Sequence, residues 1–282
     1  MSVLAERGVP PRPTLQTFRP SPRAAFVARR AFVGFVLAAN FILLAIAVRG
    51  LLVVPLPPDW QGLVDAAHRI SQGADPFAAQ AHAFRWSPLA AWLLVPFAAA
   101  GLGVWQLLHF AALAALPRRI ALITLLCFAF WVDVGMGNVV VFGFVLAWLA
   151  LTKGRLSLVA FTIFALLVPR PLYVPVLVYL FLNRPEDRRA MVATGAVVLA
   201  STVATGWLPS WLTILAASGS DIANVTNMAP SRFMGLAWLP IAWVGAFVAY
   251  RRRRLGLASL LASPYWLPYY FLMVLLELAP LK

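Results

Sequence analysis

The chain has 282 residues with a formal net charge of +14, and 62% of its residues are hydrophobic while only 11% are charged. With a mean hydropathy of +0.86, this composition excludes an ordinary soluble domain and is typical of a protein with several membrane spans. The arginines lie at the ends of apolar segments and no nucleic-acid motif accompanies them, so the positive charge indicates membrane topology rather than nucleic-acid binding.

The N-terminal part of the chain divides into a polar tail and a first apolar segment. Residues 1–25 are rich in proline and arginine and have no apolar period, which predicts a disordered cytoplasmic tail. Arg29 and Arg30 then precede the apolar residues 31–48, which we predict to be a transmembrane helix running outward from the cytoplasm. Residues 26–282 are predicted to form a single integral membrane domain. Abundant alanine and an excess of arginine over lysine are typical of GC-rich bacteria, so we expect the chain to lie in a bacterial plasma membrane.

Residues 55–88 form the longest polar interval after the tail and are predicted to be the first extracytoplasmic loop. Apolar side chains recur on one face of a 3.6-residue period, which predicts a short amphipathic helix that lies along the membrane surface. Pro57-Pro58 and Gly73 mark the two ends of this helix. Asp59 lies at its start, where an aspartate either caps the first turn or serves a function.

Clusters of basic residues at 118–119, 153–155, 184–189 and 251–254 mark cytoplasmic ends of the later segments. Between them we predict outward segments at 120–132, 156–168 and 190–208, returning segments at 139–152, 172–182 and 234–250, outer turns at 133–138 and 169–171, and a larger outer loop at 209–233.

Two apolar segments are interrupted. Residues 89–116 contain Pro96 and Gly101, so their first half is predicted to be a re-entrant or interfacial piece. Residues 255–281 contain two prolines and form one kinked span or two short ones. The predicted fold is therefore all-α, a polytopic membrane protein of about nine or ten transmembrane helices.

The loop also carries a pattern of aromatic, small and acidic residues: Asp59-Trp60, Ala66-Ala67, Gly73, Pro76-Phe77, then Phe84, Trp86 and Pro88. This pattern resembles the first extracytoplasmic loop of glycosyltransferase family 87. Members of that family are membrane enzymes of the GT-C class that use polyprenyl-phosphate sugars. The resemblance implies a GT-C-like fold, mannosyltransferase-like activity, and Asp59 as the catalytic base.

Further stretches extend the resemblance along most of the chain. Gly135-Met136-Gly137-Asn138 is similar to a Gly-Gln-x-Asn turn of the family, with methionine in place of glutamine. Val168-Pro169-Arg170-Pro171 is similar to a Lys-Pro turn, with arginine in place of lysine. The stretch 224–232 resembles an asparagine-rich loop ending in arginine, and Ser263-Pro264 with Trp266 resembles a Ser-Pro-x-Ser-Trp stretch. The resemblance depends on the order and spacing of these motifs along the chain rather than on any single one of them.

The implied chemistry is transfer of a sugar from a polyprenyl phosphate to a lipid or glycan hydroxyl, with inversion. It needs a base, here Asp59, and a cation that stabilises the leaving phosphate. The candidates for the phosphate contact are Arg170, Arg232 and Arg85, although each arginine could equally contact a lipid headgroup. The candidates for contacts to substrate are Asp65, His68, Trp86, Asn138 and Asn227.

Other classes of function stay open from the sequence. A transporter or flippase of lipid-linked sugars would use the same outward polar residues, although no internal repeat supports it. A non-catalytic membrane subunit of cell-envelope assembly is the third class. We expect no cofactor, because the chain has no nucleotide-binding glycine motif. We expect no metal, because it has no Asp-x-Asp motif and no histidine cluster, and Cys127 is its single cysteine. The expected partners are the lipid donor, its acceptor and membrane lipids.

Overall fold

The computed structural model describes residues 22–53, 57–78, 84–217 and 227–281. Within these ranges the protein is helical and contains no strand. The predicted disordered tail falls outside the described residues as far as residue 21, and residues 22–25 already belong to the first helix. The chain divides into two units, Met1–Asn40 and Phe41–Lys282, so the division falls inside that helix.

The α-helices are α1 (Pro22–Val53), α2 (Pro58–Ser71), α3 (Pro88–Ala100), α4 (Leu102–Leu113), α5 (Arg118–Leu125), α6 (Phe128–Met136), α7 (Val140–Thr152), α8 (Arg155–Leu167), α9 (Val174–Asn183), α10 (Arg188–Ala204), α11 (Leu208–Ala217), α12 (Ser231–Met234), α13 (Trp238–Arg251) and α14 (Leu255–Ala262). Short 3-10 helices cover Pro171–Tyr173, Pro185–Asp187 and Gly235–Ala237, and a longer one covers Pro268–Leu278.

Sharp bends interrupt the apolar segments. The α3–α4 pair bends by 111° at Gly101, whose φ of +89° is a value that glycine adopts readily. The predicted break in residues 89–116 is therefore confirmed. Pro96 lies inside α3 without ending it. The α5–α6 pair bends by 73°, which the sequence did not predict. The prediction that 209–233 is entirely loop is wrong, because α11 occupies Leu208–Ala217 and proline is tolerated in a first helical turn.

The lengths of the helices bear on the predicted spans. Among the described residues, only Ser231–Arg251 is long and apolar enough to cross a membrane by itself, and up to four candidates arise if each bent pair counts as one span. α7 and α8 are apolar, but each has 13 residues and so rises roughly 20 Å, against the roughly 30 Å of a hydrocarbon core. The count of nine or ten spans therefore exceeds what helix length and composition support.

α7 lies at the centre of the helical core. Nine of its 13 residues are buried, and it packs against α4, α8 and the 3-10 helix Pro268–Leu278. Gly143 lets the side chain of Tyr173, at the end of the 3-10 helix Pro171–Tyr173, approach α7 closely, because a Cβ built at Gly143 would lie 2.5 Å from the hydroxyl oxygen of Tyr173. The outer helices α10 and α13 instead expose large apolar side chains, among them Val192, Val197, Leu199, Trp243 and Phe247. Such apolar outer faces are compatible with a membrane protein.

α2 is amphipathic as predicted, but its apolar face is covered by protein. Trp60, Leu63, Ala67 and Ile70 are all buried, and α2 packs against α3 and α6. The expectation that this face lies on the membrane surface is wrong, because burial against neighbouring helices already removes it from contact with lipid or water. The result is that α2 is anchored in the core with its N-terminus held close to the α6–α7 turn.

Candidate active site

Three polar residues that are far apart in the sequence meet beside the N-terminus of α7. Asn138 donates from Nδ2 to Oδ2 of Asp59 over 2.5 Å. The other side-chain atom of the same amide, Oδ1, accepts a hydrogen bond from Nη2 of Arg170 over 2.9 Å. One asparagine therefore joins a carboxylate to a guanidinium without a direct ion pair between them.

Asp59 lies in the first turn of α2, not at its cap. The helix begins at Pro58 with Pro57 as its N-cap residue, and no side chain caps it. The capping interpretation of Asp59 is therefore wrong. Its Oδ2 instead accepts a hydrogen bond from the side-chain amide of Asn138 and another, over 3.3 Å, from the hydroxyl of Tyr269. The position still suits a carboxylate, because the N-terminus of a helix favours negative charge.

The Gly137-Asn138 turn is held on several sides. Gly137 ends α6 with a φ of +67°, and a Cβ there would lie 2.7 Å from Cβ of Trp60. The indole of Trp105 in α4 donates to the Gly137 carbonyl over 2.9 Å. Asn138 is buried, and its Oδ1 also accepts from the backbone amide of Val139. These contacts leave the amide of Asn138 little freedom to turn.

Arg170 is presented between Pro169 and Pro171, just before the 3-10 helix Pro171–Tyr173. Its guanidinium lies 5.3 Å from the ring centre of Tyr270 and 5.7 Å from that of Tyr269. Burial lowers the pKa of Arg170, but the coulombic influence of the neighbouring tyrosine side chains, Tyr270 and Tyr269 foremost, outweighs burial and keeps that pKa above its ordinary value. Nη1 is buried and has no hydrogen-bond partner among the described residues.

A second polar layer lies behind this cluster. Asp133 in α6 is fully buried, and its two carboxylate oxygens accept the backbone amides of Val140 and Val141, over 3.2 and 2.8 Å. His109 in α4 is also fully buried, with Nε2 lying 3.7 Å from Oδ2 of Asp133. Asp133 therefore caps α7 from the preceding helix, and His109 lies beside it.

Sequence reasoning missed His109 and the tyrosines of this site. His109 is the single ionisable residue in the apolar stretch 88–116, and an ionisable group in such a stretch is a default candidate for function. Tyr269 and Tyr270 follow Pro268 in the segment predicted to be one kinked span or two short ones. The histidine could have been found from the sequence, whereas nothing in the sequence places the tyrosines next to Asp59.

The other predicted site residues lie in different settings. Asp65 and His68 are exposed on α2, and His68 contacts the amide of Gln72 over 2.9 Å. Trp86 is half-buried with its ring 5.8 Å from that of Phe84. Neither of these two contacts joins its residue to the Asp59–Asn138–Arg170 cluster.

Two predicted phosphate ligands also have contacts of their own. Arg232 is exposed, with its guanidinium 5.7 Å from the ring centre of Phe233. Arg85 is half-buried, and its backbone carbonyl accepts the indole of Trp211 over 3.0 Å. Arg170 is thus the predicted phosphate ligand whose hydrogen bond to Asn138 places it in the cluster with Asp59.

Asn227 has a structural setting. It is buried, donates to Oγ of Ser231 over 3.0 Å, and accepts the backbone amides of Ala229 and Trp266, each over 2.9 Å. These bonds tie the segment before α12 to the segment before the last 3-10 helix. The side chain predicted to contact substrate therefore links two stretches of backbone.

Among the described residues, no group of three or more histidine, cysteine, aspartate and glutamate side chains could hold a metal ion. The prediction of a metal-independent site stays a prediction. Comparisons of the chain with protein-family models, with curated proteins and with solved structures find no significant match.

Proposed function

We propose that this chain is a membrane-embedded glycosyltransferase that moves a mannose-like sugar from a polyprenyl phosphate to a hydroxyl of a lipid or glycan. The observation that carries the proposal is the Asp59–Asn138–Arg170 cluster, in which a single amide holds a carboxylate and a guanidinium side by side. The family-87 resemblance matches Asp59 to the base, Asn138 to the Gly-Gln-x-Asn turn and Arg170 to the Lys-Pro turn. The need to stabilise a leaving phosphate made Arg170 a candidate for the phosphate contact.

Asp59 is suited to the role of general base. Asn138 and Tyr269 both donate to Oδ2, so neither of these hydrogen bonds occupies Oδ1. In the reaction, the acceptor oxygen forms a bond to the anomeric carbon while its proton passes to Asp59. The bond between that carbon and the phosphate oxygen breaks, and its electron pair leaves with the phosphate.

Arg170 is suited to bind the departing phosphate. Its Nη2 is bonded to Asn138, while its Nη1 is buried and lacks a partner among the described residues. A buried N–H without an acceptor is costly, and a phosphate oxygen would supply a charge-assisted bond. The negative charge on that oxygen grows as the sugar leaves, so the contact strengthens toward the transition state.

The number of available carboxylates favours inversion. Retention would require a second carboxylate as nucleophile. The neighbouring carboxylate, Asp133, has both oxygens bonded to backbone amides and is fully buried. It cannot reach an anomeric carbon without uncapping α7, so a single displacement assisted by Asp59 is the mechanism that these residues support.

A lipid donor also agrees with the surroundings of the site. α10 and α13 have apolar outer faces, and the bent helix pairs are apolar enough to count as broken spans. A polyprenyl chain could approach between such helices, and no soluble nucleotide-binding fold is needed. On this proposal the chain is a polytopic protein of a bacterial plasma membrane, GT-C-like, with the site facing outward.

The proposal is tested with purified protein in lipid nanodiscs and in sealed vesicles, supplied with radiolabelled polyprenyl-phosphate mannose and a polyprenol or glycan acceptor. We expect labelled product in both preparations. Movement of the donor across vesicles without product would indicate the flippase class, and neither activity would indicate a non-catalytic subunit. Either of these outcomes would overturn the proposal.

A further inference from the structure

The ring of His109 lies between two backbone carbonyls. Its Nδ1 is 2.8 Å from the carbonyl oxygen of Trp105, one turn earlier in α4. Its Nε2 is 2.9 Å from the carbonyl oxygen of Asn138. The ring is fully buried and packs 4.6 Å, between ring centres, from Phe142 of α7. Both nitrogens are therefore within hydrogen-bonding distance of groups that can only accept.

This arrangement determines how many protons the ring carries. A neutral imidazole has one N–H and one lone pair, so it would place that lone pair against a carbonyl oxygen at one of the two contacts. A buried polar contact between two acceptors is unfavourable, whereas an imidazolium donates to both oxygens. The two short contacts together thus call for the doubly protonated ring.

Burial disfavours a charged imidazole, so the charge needs a partner. The helices that pack most extensively on α4 are α3, α6 and α7, and Asp133 is the one ionisable side chain on these three elements. Its Oδ2 lies 3.7 Å from Nε2 of His109. Burial disfavours the ionised form of that carboxylate as well, and two backbone amides and the N-terminus of α7 act against this effect. Farther out lie Asp59 and Arg170, whose charges oppose each other.

We infer that His109 is an imidazolium paired with Asp133, and that it positions Asn138 for the reaction. His109 holds the backbone carbonyl of Asn138, while the side-chain amide of Asn138 holds Asp59 and Arg170. The inferred charge state rests on the two carbonyl contacts of the ring and its distance to Asp133, and it does not depend on the proposed function. Its effect on catalysis rests on the proposed function. His109 is a positioning residue, because it touches neither of the proposed reacting groups.

The protonation state can be measured without any activity. Histidine-labelled protein is prepared with His68→Gln and His82→Gln, which leaves His109 as the remaining histidine of the chain. Nitrogen-15 NMR in nanodiscs at neutral pH is expected to show a directly bonded proton on both ring nitrogens. Asp133→Asn is expected to leave a proton on one nitrogen. A ring with one unprotonated nitrogen in the protein that retains Asp133 would overturn the inference.

The positioning role is measured as a double-mutant cycle on transfer by His109→Gln, Asp133→Asn and the two together. Because the partners neutralise each other, the loss of kcat in the double variant should fall short of the product of the single losses by about fivefold or more. Independent losses would contradict the positioning role. If the wild-type protein transfers no sugar, the proposed function fails while the NMR result still decides the charge state.

Discussion

At each end of α7 a charged side chain binds the free backbone groups of the helix, but the two side chains lie in different surroundings. At its N-terminus the carboxylate of Asp133 accepts the amides of Val140 and Val141. At its C-terminus the guanidinium of Arg184 donates to the carbonyls of Leu151 and Lys153, over 3.0 and 3.1 Å. Both charges complement the helix dipole, negative at the start and positive at the end.

The surroundings make the two ends unequal. Asp133 is fully buried and lies beside His109, behind Asn138 and Arg170, so removing it would leave several buried groups without partners. Arg184 is part of a solvent-accessible basic region, in which Arg188 likewise binds the last carbonyls of α9. A partly exposed contact of this kind adds little, because water can replace it when it is lost. Burial, rather than charge, distinguishes the candidate site from the basic end.

Substitution of the proposed base should have the largest effect. Asp59→Asn keeps the shape of the side chain but removes the proton acceptor, so we expect transfer to fall by about two to four orders of magnitude. The control is Glu186→Gln, an exposed carboxylate that is not among the candidate site residues, which should keep wild-type turnover. Initial rates of transfer measure both, and wild-type turnover by Asp59→Asn would exclude Asp59 as the base.

Loss of the guanidinium at Arg170 should come next. Arg170→Ala would remove the proposed charge-assisted contact to the donor phosphate, worth roughly 1.5–3 kcal/mol, so donor use should weaken by about tenfold to more than a hundredfold. Arg170→Lys should recover only part of this, because an ammonium cannot hold Asn138 and a phosphate with a planar fork.

The measurement for Arg170 is the transfer rate against donor concentration. Arg184→Ala is the control, since it removes a guanidinium from the basic end of α7. Equal effects of the two alanine substitutions would show that overall charge, rather than a phosphate contact, determines donor use.

A pair of glycines tests how tightly the turn before α7 is packed. Gly137 and Gly73 have similar φ values of +67° and +71°. A Cβ added at Gly137 would lie 2.7 Å from Cβ of Trp60, whereas a Cβ added at Gly73 would have no atom within 4 Å. Alanine at either site costs about 1–2 kcal/mol through its left-handed conformation. Gly137→Ala should cost a further roughly 1–3 kcal/mol through overpacking. Thermal unfolding of both variants in the same detergent measures the difference, and equal losses would show that α2 yields at this contact.

The basic end of α7 should give the smallest effect. Arg184→Ala removes two hydrogen bonds to helix-terminal carbonyls, and we expect the free energy of unfolding to fall by about 1 kcal/mol or less. Transfer should be unchanged, because this end of α7 is remote from Asp59 along the helix. A loss of transfer at unchanged stability would mean that the two ends of the helix are coupled.

Local patterns in the sequence predicted much of the helical layout. Proline and glycine marked the ends of α2 and the break at Gly101, because both residues restrict or release specific backbone angles. Asp59, Asn138 and Arg170 were identified as candidates one by one, and the structure brings them together. Predictions that depended on neighbours were wrong, including the membrane-facing side of α2 and the loop across Leu208–Ala217.

The sequence by itself determined that the chain is helical and strongly apolar and where its polar turns lie, because composition, helical period and turn residues act over a few neighbouring positions. It could not decide which turns meet. The tertiary structure alone placed Asn138 between Asp59 and Arg170, surrounded Arg170 with Tyr269 and Tyr270, and set His109 against that same turn. The reason is that packing between helices, rather than any local preference, chooses the partners of a buried polar group.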